Sequence, residues 1–163
     1  MAWIGSVIYK NPSRHIRVIA VTGTKGKSTT VELMSSILKG TGYRVASLST
    51  IQFRIGDEVR PNLYKMTTPG RFFVQKFLRE AVEAECEYAV IELTSEGAKQ
   101  FRHKFLELDA LIFTNLSPEH IISHGSFEKD KEAKLKIPKQ LEASSKRPRY
   151  VAANIDDEHA NDF

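Results

Sequence analysis

Thr22-Gly23-Thr24-Lys25-Gly26-Lys27-Ser28-Thr29 is the densest concentration of chemistry-bearing residues in this sequence. Its glycines let backbone N–H groups turn toward a bound anion, and a helix starting at its end would add partial positive charge. Lys27 can reach β- and γ-phosphates, and the Ser28 hydroxyl can bind Mg²⁺. The general phosphate-loop spacing asks for glycine six residues before the lysine, where Val21 stands, so only a shortened loop is possible. A Gly-Lys-Ser triplet alone is also an ordinary surface turn. Its position between an apolar strand and an amphipathic helix is what points to a nucleotide triphosphate. Three further candidates lie far apart. Glu92 closes an apolar run, where a carboxylate could hold Mg²⁺. His120 follows Asn115-Leu116-Ser117-Pro118-Glu119, and Lys134 stands among Lys129, Lys131, Lys136 and Lys139. Taken singly, these also read as a strand-end carboxylate, a solvated loop histidine and helix surface charge.

The elements that must position these residues alternate between strand and helix. Residues 17–21 form a short β-branched run, apolar on both faces as a buried parallel strand should be. Residues 28–39 place Val31, Met34, Ile37 and Leu38 at helical spacing and end at Gly40 and Gly42. Residues 44–50 read as the next strand, 51–59 as a hairpin arm, and 60–69 as loop. Residues 70–85 predict a strong helix with Phe73, Phe77, Leu78, Ala81 and Val82 on one side. Residues 88–91 and 109–113 read as buried strands, with a helix over 97–106 between them. A helix over 127–143 is interrupted by Pro138, whose ring would press on the Lys134 carbonyl four residues earlier. A last strand covers 150–153. The pattern implies an α/β fold, a mostly parallel sheet with helices on both faces. In such sheets ligands gather beyond the carboxyl ends of the strands, where the phosphate loop, Glu92, Thr114 and Asn115 all fall.

The 163 residues are 41% hydrophobic, enough for one domain with a core and too short for two enzyme domains. One cysteine, Cys86, excludes a disulfide framework or a cysteine-based zinc site and fits a reducing, cytoplasmic setting. No apolar run approaches the roughly 20 residues of a membrane span. The opening residues lack the basic flank and cleavage site of a signal peptide. A net charge of +4 suits phosphate-bearing small molecules. No aromatic-basic platform or groove-reading helix marks a nucleic-acid partner.

Read together, the motifs resemble the Mur ligase family, the ATP-dependent amide-forming enzymes of peptidoglycan precursor synthesis. The shortened loop resembles the family's phosphate loop, and Thr67-Thr68-Pro69 matches its Thr-Thr-Pro. Glu92-Leu93-Thr94-Ser95 resembles Glu-Val-Ser-Ser. Thr114-Asn115-Leu116-Ser117-Pro118-Glu119-His120, followed by His124-Gly125, resembles Thr-Asn-Leu-x-x-Asp-His and His-Gly. Glu132-Ala133-Lys134 matches the stretch bearing the family's carbamylated lysine, and Asn154-Ile155-Asp156-Asp157 resembles the Asn-x-Asp-Asp that closes its central domain. The order holds from about Arg14 to Asp157. It is most similar to the branch that adds the third residue to UDP-N-acetylmuramoyl-dipeptide, the UDP-N-acetylmuramoyl-tripeptide synthetases.

The resemblance implies a P-loop NTPase-like central domain over 14–157, a lead-in over 1–13 and, over 158–163, a truncated link to a missing C-terminal domain. It implies ATP and Mg²⁺ as cofactors and a UDP-linked muramoyl-peptide as partner substrate, joined to an amino acid through an acyl phosphate. Gly23, Thr24, Lys25, Gly26, Lys27, Ser28, Thr29 and Asn115 would bind the nucleotide. Ser28 and Glu92 would hold one Mg²⁺, and His120 and a carbamate on Lys134 a second. Thr67, Thr68, Ser95 and Arg102 would contact the muramoyl-peptide. Against the family pattern, Lys25 replaces Asn, Glu96 replaces His, Glu119 replaces Asp and Ile122 replaces Asp; these changes bear on substrate identity. A folylpolyglutamate synthase-like or cyanophycin synthetase-like ligase, and a nucleotide-binding module without amide chemistry, are the competing expectations. The chain alone is expected to bind nucleotide without completing ligation.

Overall fold

A computed structural model describes residues 2–64, 66, 67, 70–118 and 126–163. His120, Thr68, Pro69, Glu119, Ile122, His124 and Gly125, all singled out above, lie outside the described residues. In chain order the elements are α1 (Ala2–Ile8), β1 (Arg17–Thr22), α2 (Lys27–Gly40), β2 (Val45–Leu48), β3 (Gln52–Ile55), β4 (Glu58–Pro61) and α3 (Arg71–Glu83). Then follow β5 (Tyr88–Glu92), α4 (Ser95–Lys99), β6 (Ala110–Phe113), α5 (Phe127–Lys134), α6 (Lys136–Glu142) and β7 (Tyr150–Ala153). The seven strands form one sheet in the order β4-β3-β2-β5-β1-β6-β7. The five strands from β2 to β7 are parallel, and β3 and β4 add an antiparallel margin.

Side-chain alternation along the central strands makes two cores. Val18 and Ala20 of β1, Ala89 and Ile91 of β5, Ala46 and Leu48 of β2, and Leu111 of β6 face one side. There they meet Val74, Phe77, Leu78 and Ala81 of α3 and Ile137 and Leu141 of α6. Ile19, Val21, Val90 and Val45 face the other side, against Val31, Met34 and Leu38 of α2. Helices α2 and α3 meet the sheet at i, i+3, i+4, i+7 spacing, so each buries one stripe. On α3 the stripe is rotated from the expected one: Val74 is fully buried, whereas Phe73 and Val82 are only half-buried at its margin.

Three expected elements differ. The strand arm over 51–59 is two strands joined at Gly56-Asp57, with β4 running on to Pro61. The helix over 97–106 is α4 alone, capped by Thr94 Oγ1, which accepts from the Gly97 N–H at 3.1 Å. Phe101 and Phe105 then take positive φ (58° and 63°), which stops the helix and turns His103, Leu106 and Leu108 inward. The helix over 127–143 is broken at Leu135. Pro138 has no N–H to offer the Lys134 carbonyl, as its position predicts.

The chain's two ends are packed. Helix α1 lies against α3. Phe163 stacks on Phe113 with ring centroids 3.9 Å apart and planes 10° apart, so the expected link over 158–163 is folded onto the domain.

Candidate nucleotide and metal site

The register sets the site. Val21 pairs with Glu92 and Thr22 with Phe113, so the loop after β1, the end of β5 and the stretch after β6 emerge side by side. Beyond β1 the chain makes a turn that its neighbours leave room for only at glycine. Gly23 has φ 142°, and a Cβ there would sit 2.0 Å from Thr114 Oγ1 and 2.9 Å from the Asn115 carbonyl oxygen. Gly26 has φ 78° and nothing within 4 Å of its would-be Cβ, so the loop is open on that side. It also begins α2 with no side-chain cap, which leaves the helix's first turn to an external anion.

The stretch after β6 grips the loop. Asn115 accepts from the Thr24 N–H through its carbonyl (2.8 Å) and from the Lys25 N–H through Oδ1 (2.9 Å). Its Nδ2 donates to the Lys25 carbonyl (3.2 Å), which also accepts from Thr114 Oγ1 (2.8 Å). Ser117 N–H donates to Thr24 Oγ1 at 3.0 Å. Asn115 therefore holds the loop's backbone, a structural task beside the nucleotide role expected of it. Lys27 folds back over the loop, its Nζ donating to the Thr24 carbonyl at 2.8 Å.

Glu92 is 2% exposed, a buried carboxylate at the floor of the site. Its Oε2 accepts from Ser28 Oγ (2.8 Å), from the Thr50 N–H (3.0 Å) and from Thr50 Oγ1 (3.1 Å). Three donors on one oxygen fix the orientation of the carboxylate. Thr50 Oγ1 is also 2.7 Å from Thr67 Oγ1; since its own proton goes to Glu92, Thr67 donates here. Lys134 is 1% exposed and paired with Asp130 one turn earlier. Its Nζ also reaches Thr24 Oγ1 at 3.5 Å. The lysine that reads as surface charge in the sequence is thus brought to the underside of the phosphate loop.

Ser95 opens α4, three residues beyond Glu92, and is buried. Arg102 is buried as well; its Nη2 donates to Gln100 Oε1 at 2.5 Å and lies 3.8 Å from Met66 Sδ, next to Thr67. Thr67 and Arg102 therefore border one region. Thr29 lies in the first turn of α2.

Thr50, Asp130 and Gln100 join the site without having been singled out. Thr50 stands just past β2, which lies directly beside β5, and strand order is the one thing no local pattern records. Asp130 has a local signal, its i, i+4 spacing to Lys134.

The residues present fit a magnesium ion. Ser28 Oγ and the Glu92 carboxylate are hard oxygen donors already in contact, and Mg²⁺ takes one or two carboxylates with substrate phosphates completing its shell. Among the described residues no cluster of three or more His, Cys, Asp or Glu could hold a metal alone. Among them, too, no helix is long and apolar enough to cross a membrane.

Residues 21–163 match the model of the Mur ligase middle domain. The UDP-N-acetylmuramyl-tripeptide synthetase of Treponema pallidum (strain Nichols) is 38% identical over 140 residues, which are 85% of this chain and 26% of that protein. The enzyme of that name from Roseiflexus sp. (strain RS-1) is 34% identical over all of this chain and 34% of its own length. Among solved structures, a UDP-N-acetylmuramoyl-L-alanyl-D-glutamate–2,6-diaminopimelate ligase superposes with TM-score 0.74 at 29% identity, covering 90% of this chain and 28% of that one. E. coli FolC in complex with DHPP and ADP shares the fold at TM-score 0.62 and 19% identity, covering 82% of this chain and 38% of that one. The chain spans about a quarter to a third of the length of the curated relatives it matches. A glycine-bearing strand-loop-helix turn with a buried carboxylate beside it, set in a sequence that matches the family model over 21–163, places this chain in the Mur ligase family, through its middle domain.

Proposed function

We propose that the chain is the ATP-binding middle domain of a ligase that joins an amino acid to a UDP-N-acetylmuramoyl-peptide. The observation that carries this is the contact of Ser28 with Glu92 beneath an uncapped helix N-terminus. Activating a carboxylate with ATP brings two anions together, so the site must concentrate positive charge where the phosphates lie. The loop amides and the start of α2 supply it along the backbone, and Lys27, close above the loop, supplies a mobile charge. Glu92 and Ser28 would hold Mg²⁺, which supplies Lewis-acid neutralisation of phosphate charge. Thr50 fixes the carboxylate's orientation by two hydrogen bonds to one oxygen. Thr67, which meets Thr50 beside Glu92, and Arg102 would border the region where the muramoyl-peptide lies, and the branch named by the two tripeptide-synthetase relatives makes that peptide the expected acid. Their greater length is where the rest of the amide-forming site would reside.

A carbamate on Lys134 belongs to the same proposal, as a further anion for a second magnesium. Lys134 is buried and paired with Asp130, so carbamate formation would require its ammonium to give up a proton and that ion pair. The carbamate would sit near the Asp130 carboxylate, and the positive charge of a divalent cation would offset the two neighbouring anions.

Calorimetric titration of ATP into the chain with Mg²⁺ tests the reading. Binding is expected, lost on Lys27→Ala, and Mg²⁺-independent on Glu92→Gln. Wild-type affinity in both variants would refute it. Ligation of UDP-N-acetylmuramoyl-dipeptide by the full-length protein, read against a panel of other acids, tests the substrate.

A further inference from the structure

Resting on the nucleotide reading above, we infer that Asp157, in the segment after β7, is a positioning residue for the phosphate loop, and that loop and segment are coupled in both directions. Asp157 Oδ2 accepts from the Leu116 N–H at 2.7 Å, and Oδ1 accepts from the His159 N–H at 2.9 Å. One carboxylate thus ties the stretch after β6 to the segment after β7, through bonds that its charge strengthens. The residues on either side of Leu116 are the ones that grip the loop. Asn115 holds the backbone of Thr24 and Lys25, and Ser117 holds the Thr24 hydroxyl. A shift of Leu116 therefore moves both grips together, although Asp157 itself has no described bond to the loop.

The far side of the tie is anchored too. Lys131 Nζ is 2.7 Å from Asp162 Oδ2 and 3.2 Å from His159 Nδ1, and Phe163 lies flat on Phe113. Lys131 belongs to α5, which also carries Lys134 to the loop's underside. The segment after β7 consequently touches both structures that shape the phosphate site. Because coupling between two sites is reciprocal, nucleotide held by the loop must in turn steady the segment.

Amide hydrogen exchange on the nucleotide-free chain tests the positioning directly. In Asp157→Ala the Thr24, Lys25 and Ser117 amides are expected to exchange about tenfold faster, with the Ala89–Ile91 amides of β5 unchanged. Magnesium–ATP affinity is expected to fall about tenfold. Asp157→Asn, which keeps one acceptor oxygen, is expected to recover part of both effects and stands in should the alanine variant not fold. In the wild type, ATP is expected to slow exchange at His159. Wild-type exchange at Thr24 and Lys25 in both variants overturns the positioning role, and unchanged ATP affinity with faster exchange overturns the coupling. A wild-type chain that binds no ATP defeats the nucleotide reading instead and leaves the exchange result to decide the positioning.

Discussion

Alanine at Gly23 and alanine at Gly26 are the same chemical change in one loop, yet the structure assigns them different costs. At Gly26 the new methyl meets nothing, and only the positive φ opposes it, at about 1 kcal/mol. At Gly23 three costs combine. A φ of 142° is open almost only to glycine, and the methyl would lie 2.0 Å from Thr114 Oγ1. Rotating Thr114 away relieves that overlap but breaks its bond to the Lys25 carbonyl. The Asn115 backbone, at 2.9 and 3.0 Å, cannot rotate away, and the Thr114 N–H to Thr22 bond ties it to the end of β1. Backbone strain, overpacking and one lost hydrogen bond together come to about 3–5 kcal/mol. For a domain of this size that lowers Tm by roughly 10 °C.

Urea unfolding of the two variants, followed by circular dichroism, measures the difference. Gly23→Ala is expected to fall about 2–4 kcal/mol below Gly26→Ala. Adding Thr114→Ala to Gly23→Ala is expected to recover about 1 kcal/mol, because the hardest contact is gone while the Asn115 backbone contacts remain. If Gly23→Ala unfolds within 1 kcal/mol of Gly26→Ala, the tight approach of β6 to the loop is not what glycine serves here.

Two further outcomes follow from buried groups. Burial, with the Lys104 and Lys136 charges adding to it, lowers His103 to about 4, and neither ring nitrogen has a hydrogen-bond partner. The folded state therefore binds fewer protons than the unfolded one between about pH 4 and 6.5, and stability falls as the pH drops through that window. The loss at pH 5 relative to pH 8 is about 2 kcal/mol, and His103→Leu should abolish it; an unchanged pH slope in urea unfolding would contradict the assignment. For Lys134, ¹³C-bicarbonate with Mg²⁺ should give a carbamate resonance that Lys134→Ala removes and that weakens without the metal. A signal indifferent to Mg²⁺ would show that Asp130 does not disfavour the anion.

What the sequence disclosed follows from how local each signal is. The strands at 17–21, 88–91 and 109–113 are legible because the stretches 18–21, 89–91 and 110–113 are apolar on both faces and mostly buried. Glu92, and Thr114 with Asn115, are legible as the first polar residues beyond such runs. Thr50 is not, because its importance comes from β2 lying against β5, a pairing across some forty residues that no local pattern encodes. The end of α4 is hidden for another reason: Phe101 and Phe105, rather than glycine, take the left-handed backbone, and burial of Leu106 and Leu108 offsets their strain. Asp130 is obscured by its company. In a run of alternating charges an acid one turn before a lysine reads as a solvated pair, and only the packing of α5 against the loop makes it a buried one.

The arrangement of charge in the site has a consequence for binding. Lys27 is engaged with the Thr24 carbonyl, Lys134 with Asp130, and Glu92 with three donors on a single oxygen. On the proposed reading, a triphosphate would therefore meet charges that already have partners. Lys27 would have to release the Thr24 carbonyl to reach a phosphate, whereas Ser28 can keep its proton on Glu92 while a lone pair of its oxygen faces a metal. The Lys27 exchange replaces one hydrogen bond by another, which cancels part of its attraction, and the Thr24 and Lys25 amides are likewise already held by Asn115. The loop's geometry, set by Gly23, Asn115 and Thr114, is therefore expected to bear on affinity together with Lys27.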